Sequence, residues 1–187
     1  MWILPLLLPI VAGFFWISAL TAGRAGGVLR LSLGACFGLA VSACVFFLLL
    51  LAGAASAPAV LVSDALLGGA GFWLWWRSRG QAPKTAESGP RFPHTLLMVA
   101  ALALALAFVA GYVSDAAELA PHGEWDAWSI WNLRAKFLAG GNASWRYAIS
   151  PQLEGTHPEY PLLVSSIIAR SWMVDGGNFS TAAPIAT

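Results

Sequence analysis

The residues of this chain that could do chemistry lie together, in one stretch between two apolar segments. Residues 114–159 hold Asp115, Glu118, His122, Glu124, Asp126, Arg134, Lys136, Arg146, Glu154, His157 and Glu159. Within it, Glu124-Trp-Asp126-Ala-Trp-Ser-Ile-Trp-Asn-Leu-Arg134-Ala-Lys136-Phe reads as an amphipathic helix. Trp128, Trp131, Ala135 and Leu138 recur at spacings of three and four and form an apolar stripe. Asp126, Ser129, Asn132 and Lys136 form a polar stripe at the same spacings. Gly140-Gly141 ends the helix. Tryptophan favours the membrane–water interface, so the helix is expected to lie on a membrane surface with Asp126 facing away from lipid. A positioned carboxylate can take a proton from a weak nucleophile. The same pattern also suits a simple interfacial anchor with a solvated polar face.

A second cluster, His157-Pro-Glu-Tyr-Pro-Leu-Leu, opens the next apolar segment. Its two prolines restrict the backbone on entering that segment and are expected to hold His157 and Glu159 at the same surface as Asp126. An anchor accounts for the tryptophans but not for this second cluster. His157 alone could equally be an ordinary loop histidine.

The elements that must carry these residues are membrane helices. Hydrophobic residues make up 58% of the 187-residue chain and charged residues 10%, against about 25% charged in a soluble domain. Residues 2–20, 31–51, 57–76 and 95–113 are four apolar stretches near the roughly 20 residues that cross a bilayer. Asp64 is the one charge within them. The first stretch reads as a span rather than a cleaved signal peptide, since no Lys or Arg precedes it and no Ala-x-Ala site ends it. A fifth, shorter segment, 160–174, carries Arg170 and is expected as a partial span or an interfacial helix.

Three parts follow: a three-span block at 1–76, a polar Pro-containing linker at 77–93, and a module at 94–187 comprising a span, the loop 114–159 and the fifth segment. The fold class is all-α, with polytopic membrane helices and an extracytoplasmic loop bearing the amphipathic interfacial helix. Arg24 and Arg30 lie between the first two spans, and Arg77, Arg79, Lys84 and Arg91 between the third and fourth. Cytoplasmic loops collect Lys and Arg, so both connections face the cytoplasm, and the N-terminus and the loop 114–159 lie outside.

Within the spans, Gly34, Gly38 and Ser42 make a small-residue stripe that permits close helix contact. Asp64 sits roughly 9 Å inside its span at 1.5 Å per residue and reads as an aspartate bonded to a neighbouring helix, with a functional role as the alternative. Cys36 and Cys44 read as packing residues. No metal-type Cys spacing, phosphate-binding glycine loop, nucleophile elbow or basic nucleic-acid patch is present. Two glycosylation sequons, at Asn142 and Asn178, matter only in a eukaryotic secretory pathway.

The pairing of Trp-Asp-Ala-Trp-Ser-Ile-Trp-Asn-Leu-Arg-Ala-Lys with His-Pro-Glu-Tyr-Pro-Leu-Leu resembles bacterial membrane glycosyltransferases of the C-type (GT-C) superfamily, over roughly residues 94–175. Relatives include protein O-mannosyltransferases and the aminoarabinose transferases that modify lipid A. The resemblance implies transfer of a sugar from a polyprenyl-phosphate carrier to an acceptor glycan, lipid or protein at the outer face of the bacterial inner membrane. It marks Asp126 as catalytic base, with Glu124 the nearby carboxylate. His157 takes the place of a basic residue that contacts the donor phosphate, where the family often has Lys. Arg134, Lys136 and Arg146 are further cations available to that phosphate. No metal ligand set is implied, although a divalent cation is compatible with the chemistry. In the family the acidic loop commonly follows the first span, and here it follows the fourth. The first three spans are then an addition, and the chain corresponds to the N-terminal part of such an enzyme. A transporter component or a non-catalytic assembly protein is the rival class; a transporter is expected to show broken helices and polar groups at mid-membrane, which these spans lack.

Overall fold

A computed structural model of the protein describes residues 1–22, 24–81 and 94–187. Most of the linker, with Lys84 and Arg91, lies outside the described residues, which are helical with no β-strand among them. The helices, in chain order, are α1 (Leu4–Leu20), α2 (Gly27–Leu51), α3 (Ala57–Ser78), α4 (His94–Leu119), α5 (Leu133–Ala139), α6 (Leu163–Val174) and α7 (Ala182–Ile185). Three of them, α2, α3 and α4, are long and apolar enough to cross a membrane. The first expected span forms α1, which at 17 residues is shorter than the others.

Local chemistry sets the ends of these helices. Pro5 sits in the first turn of α1, where a missing N–H costs nothing. Ser56 caps α3 by accepting a hydrogen bond from the Ala59 amide at 3.3 Å, and Pro58 follows in the first turn. Gly53, at φ 70°, makes the left-handed turn that lets α2 reverse into α3.

Helices α1, α2 and α3 pack in alternating directions, and the close contact is made by glycine. A Cβ on Gly13 would collide with the Gly34 carbonyl, and one on Gly38 with that of Pro9. The stripe at Gly34, Gly38 and Ser42 therefore faces inward, as expected. Because lipid tails are as apolar as Leu, close packing and hydrogen bonds hold such helices together. The Trp16 indole donates to the Leu67 carbonyl at 2.9 Å, and Phe15 packs against Phe72 and Trp75 at the same end. There the Arg79 guanidinium lies 3.7 Å from the Trp75 ring centroid, and Arg77 lies 4.1 Å from that of Trp73. At the other end Met1 meets Asp175, and Asn142 Nδ2 donates to the Gly53 carbonyl at 2.6 Å. The basic ends of α2 and α3 are thus opposite the end that carries the loop after α4.

The fifth apolar segment forms α6, which at 12 residues is shorter than the helices long enough to cross a membrane. It docks against α1, α2, α3 and α5, and it buries Ser165, Ser166, Arg170 and Ser171. Arg170 donates from one terminal nitrogen to Asp64 Oδ2 at 2.5 Å, and the Ser42 hydroxyl donates to Asp64 Oδ1 at 2.9 Å. The reading of Asp64 as bonded to a neighbouring helix holds, and two helices supply the partners. By packing, α6 belongs with the N-terminal block as much as with the loop before it. One core joins Phe46, Leu50 and Val60 of α2 and α3 to Leu138, Trp145 and Ile168 of the later chain. Helix α4 stands apart: the span Val99–Leu119 has no buried residue, and its Leu, Val and Phe side chains are exposed along its length.

Candidate functional site

The segment expected as one regular amphipathic helix is helical but not regular. It contains a π turn at Ala127–Asn132 and continues as α5. A π turn bonds i to i+5 and shifts the register of all that follows it. Ser129 and Asn132, expected on the solvated polar stripe, are consequently buried, while Trp128 on the apolar stripe is 46% exposed. The burial of Ser129 and Asn132 departs from the solvated polar face that a simple anchor would have. The helix is packed into the protein through its Ser129–Asn132–Ala135–Leu138 side and leaves Asp126 and Lys136 exposed. Asn132 Nδ2 donates to the His122 carbonyl at 3.0 Å, tying the helix to the turn before it.

Arg134 is the centre of the arrangement. It is fully buried. Its Nε donates to the Ala148 carbonyl at 3.1 Å, and one terminal nitrogen donates to the carbonyls of Pro158 and Tyr160 at 2.8 and 2.7 Å. Arg134 was expected among the cations open to a donor phosphate. The structure instead encloses it and commits it to backbone. Burial pulls its pKa below the usual arginine value, and the charge of Glu159 opposes that pull. The planar guanidinium fork, with several donors in fixed geometry, is what allows one side chain to serve three carbonyls. Arg134 thereby joins the two sequence motifs, since its helix is the first and Pro158 and Tyr160 belong to the second. Trp131 and Tyr160 add a ring contact at 6.0 Å between centroids, and the Ser165 hydroxyl donates to the Trp131 carbonyl at 3.0 Å.

Arg134→Lys keeps the charge and loses the fork. At least one carbonyl is left without its donor in a buried setting, which is expected to cost about 1–3 kcal/mol and to loosen 157–161 from the helix. Limited proteolysis near His157 together with a denaturation midpoint in detergent checks this; unchanged protection in Arg134→Lys would show that the fork is dispensable.

The second motif is locally strained. His157 has φ 54°, a left-handed conformation uncommon for a non-glycine residue and placed directly before a proline that itself restricts its predecessor. The His157 ring stacks on Tyr160 at 4.8 Å, and its Nδ1 lies 3.0 Å from Glu159 Oε1. Glu159 is held below the usual glutamate range, first by its own backbone N–H and then by His157. Such strain persists where surrounding contacts over-determine it, and it clusters at functional positions.

The other expected site residues are placed as follows. Asp126 is exposed at the start of the π turn, and its carboxylate makes no capping hydrogen bond there. Glu124 is exposed, and its carbonyl accepts from the Trp128 amide. Lys136 is exposed with its ammonium 5.1 Å from the Phe179 ring, and Arg146 is exposed over Trp145 at 4.7 Å. The fold brings His157, Glu159 and the Arg134 helix together. No contact draws Lys136 or Arg146 into that cluster among the described residues. Glu159 was expected beside His157 and Trp131 on the apolar stripe; the ring contacts of Tyr160 with both motifs were not foreseen, although the prolines on both sides of Glu159-Tyr160 were a signal. No group of three or more metal-type side chains is present among the described residues.

Below this cluster lies an apolar groove of about 550 Å³ between α2 and α6. Cys44, Phe47 and Leu48 form one wall, Leu162 and Leu163 the other, and Glu159 stands at its polar margin. Comparison with family models, with curated proteins and with solved structures finds no match to this chain.

Proposed function

We propose that this chain carries the acceptor-activating loop of a membrane glycosyltransferase that uses a polyprenyl-phosphate sugar. The observation behind this reading is the Arg134 junction, which holds the strained His157-Pro-Glu-Tyr-Pro turn against the helix that begins at Asp126. In this reading Asp126 takes the proton of an acceptor hydroxyl as that oxygen bonds to the sugar's anomeric carbon. The bond from that carbon to the phosphate oxygen breaks, and the lipid phosphate leaves with the electron pair. His157, Lys136 and Arg146 are the cations left for that phosphate once Arg134 is committed to backbone. Glu124 supports Asp126. The protein sits in a bacterial inner membrane with its N-terminus and the loop outside, as the Lys and Arg distribution implies.

The test is a donor screen on the complete protein, since the N-terminal part alone is expected to be inactive: membranes carrying it are incubated with radiolabelled polyprenyl-phosphate sugars and lipid, glycan and peptide acceptors. Transfer that depends on Asp126 supports the reading, and absence of transfer from every such donor sinks it. Orientation is checked separately in a Cys36→Ser/Cys44→Ser background. A cysteine at Asn142 should react with an impermeant thiol reagent in intact cells, and one at Ser88 should be shielded. The reverse pattern would place the loop inside and remove the external site.

A further inference from the structure

The end of the bundle opposite the loop gathers cations and offers them no carboxylate among the described residues. Arg24, Arg30, Arg77 and Arg79 lie there. Of the nine acidic residues in the chain, seven stand at position 115 or later, Asp64 is buried on Arg170, and Glu87 shares the linker with Lys84 and Arg91. The ion pairs among the described residues involve Asp175, Glu159 and Asp64, none of them at this end. Three of the guanidinium groups are instead laid on rings. Arg77 stacks on Trp73, Arg79 lies over both Trp75 and Trp76 at 3.7 and 4.8 Å, and Arg30 lies over Phe14 at 5.6 Å. Phe14, Phe15 and Trp75 meet in turn at 5.9 and 5.1 Å between centroids, so an unbroken run of rings joins Arg30 to Arg79. Stacking fixes the plane of a guanidinium and leaves the N–H groups at its edge free to donate.

We infer that this patch binds the headgroup of an anionic phospholipid in the leaflet at that end of the bundle. Trp73 and Trp76 are exposed, and indole rings settle at the depth of the headgroups. The acceptor available to an unpaired guanidinium at that depth is a lipid phosphate, and the planar fork donates to two of its oxygens at once. A zwitterionic head brings its own cation beside the phosphate, and the four arginines disfavour it. An anionic head brings no such charge. Because rings hold the guanidinium planes, the site requires arginine and not merely positive charge; a lysine ammonium has neither the fork nor the stacking face. The inference stands apart from the glycosyltransferase reading and uses none of its residues.

The full chain is reconstituted in phosphatidylcholine vesicles, and the protein-bound fraction of spin-labelled phosphatidylglycerol is compared with that of spin-labelled phosphatidylcholine by electron paramagnetic resonance. Phosphatidylglycerol should associate about fivefold more strongly, the scale of one basic residue at a charged membrane surface, and the preference should shrink as salt is added. Arg77 and Arg79 are both exposed, so substitution there should leave the helix packing intact, which the denaturation midpoint in detergent checks. The Arg77→Gln/Arg79→Gln double variant should bring the two lipids to near-equal association. The Arg77→Lys/Arg79→Lys double variant keeps the charge and should still lose at least half of the preference. Excess glycerol 3-phosphate, the soluble head without its chains, should not displace the labelled lipid. Equal association of the two lipids with the unaltered chain would overturn the proposal. So would an undiminished preference in the lysine variant, which would reduce the patch to a diffuse positive surface. Displacement by glycerol 3-phosphate would overturn the assignment to a lipid and make the site one for free phosphate esters.

Discussion

Asp64→Leu is expected to cost about 3–5 kcal/mol of stability, the penalty for leaving a buried charge without its partner. The partner is Arg170, 1% exposed, whose sole side-chain acceptor among the described residues is Asp64. A guanidinium has no acceptor and is not deprotonated in proteins, so Arg170 has no neutral form in which to stay buried. The two partners are therefore not equivalent. Arg170→Met leaves Asp64 with the Ser42 hydroxyl, and a carboxyl can be buried as its neutral acid. Arg170→Met should be milder than Asp64→Leu, and the Asp64→Leu/Arg170→Met double variant should recover most of the loss, since an apolar pair of similar volume often replaces a buried ion pair without penalty. Denaturation midpoints in one detergent, for the three variants and the parent, measure this. Equal damage from all three would mean that shape rather than charge holds α6 against α2 and α3.

In the protein assayed for sugar transfer, Asp126→Asn is expected to lower turnover by about 10²–10⁴-fold, the usual contribution of a positioned acid–base group. Donor binding should change much less, because the carboxylate acts on the acceptor. The exposed carboxylate lies at the start of the π turn, so the substitution should leave the denaturation midpoint near that of the parent. Glu124→Gln should be milder. If the segment is an anchor alone, Asp126→Asn is nearly silent and Trp128→Ala loosens membrane attachment, because Trp125 and Trp128 pack edge to face on the exposed side. Initial rates at matched expression separate these outcomes. A large loss confined to Glu124→Gln would move the base two residues upstream.

Much of this protein was legible as text. Three of the four apolar stretches expected as spans made helices long enough for a membrane, the first making a shorter one, because a chain with so little charge has little else to offer water, and hydrocarbon demands that backbone groups bond within the segment. Gly34, Gly38 and Ser42 announced a contact face because spacing by four keeps residues on one side of a helix. The concentration of ionisable groups in one loop was equally plain in the sequence. Tertiary structure decided the partners. Nothing in the one-dimensional pattern pairs Asp64 with Arg170, 106 residues apart, although each stood out as the one charge in its apolar segment. The π turn at Ala127–Asn132 could not be read, because a 3.6-residue period is assumed in any stripe; one i→i+5 turn swung Ser129 and Asn132 inward. Arg134 looked like a free cation for the same reason that buried arginines always do in sequence. Whether its donors meet a ligand or backbone depends on carbonyls 14, 24 and 26 residues downstream, and those are brought to it only when the chain has folded.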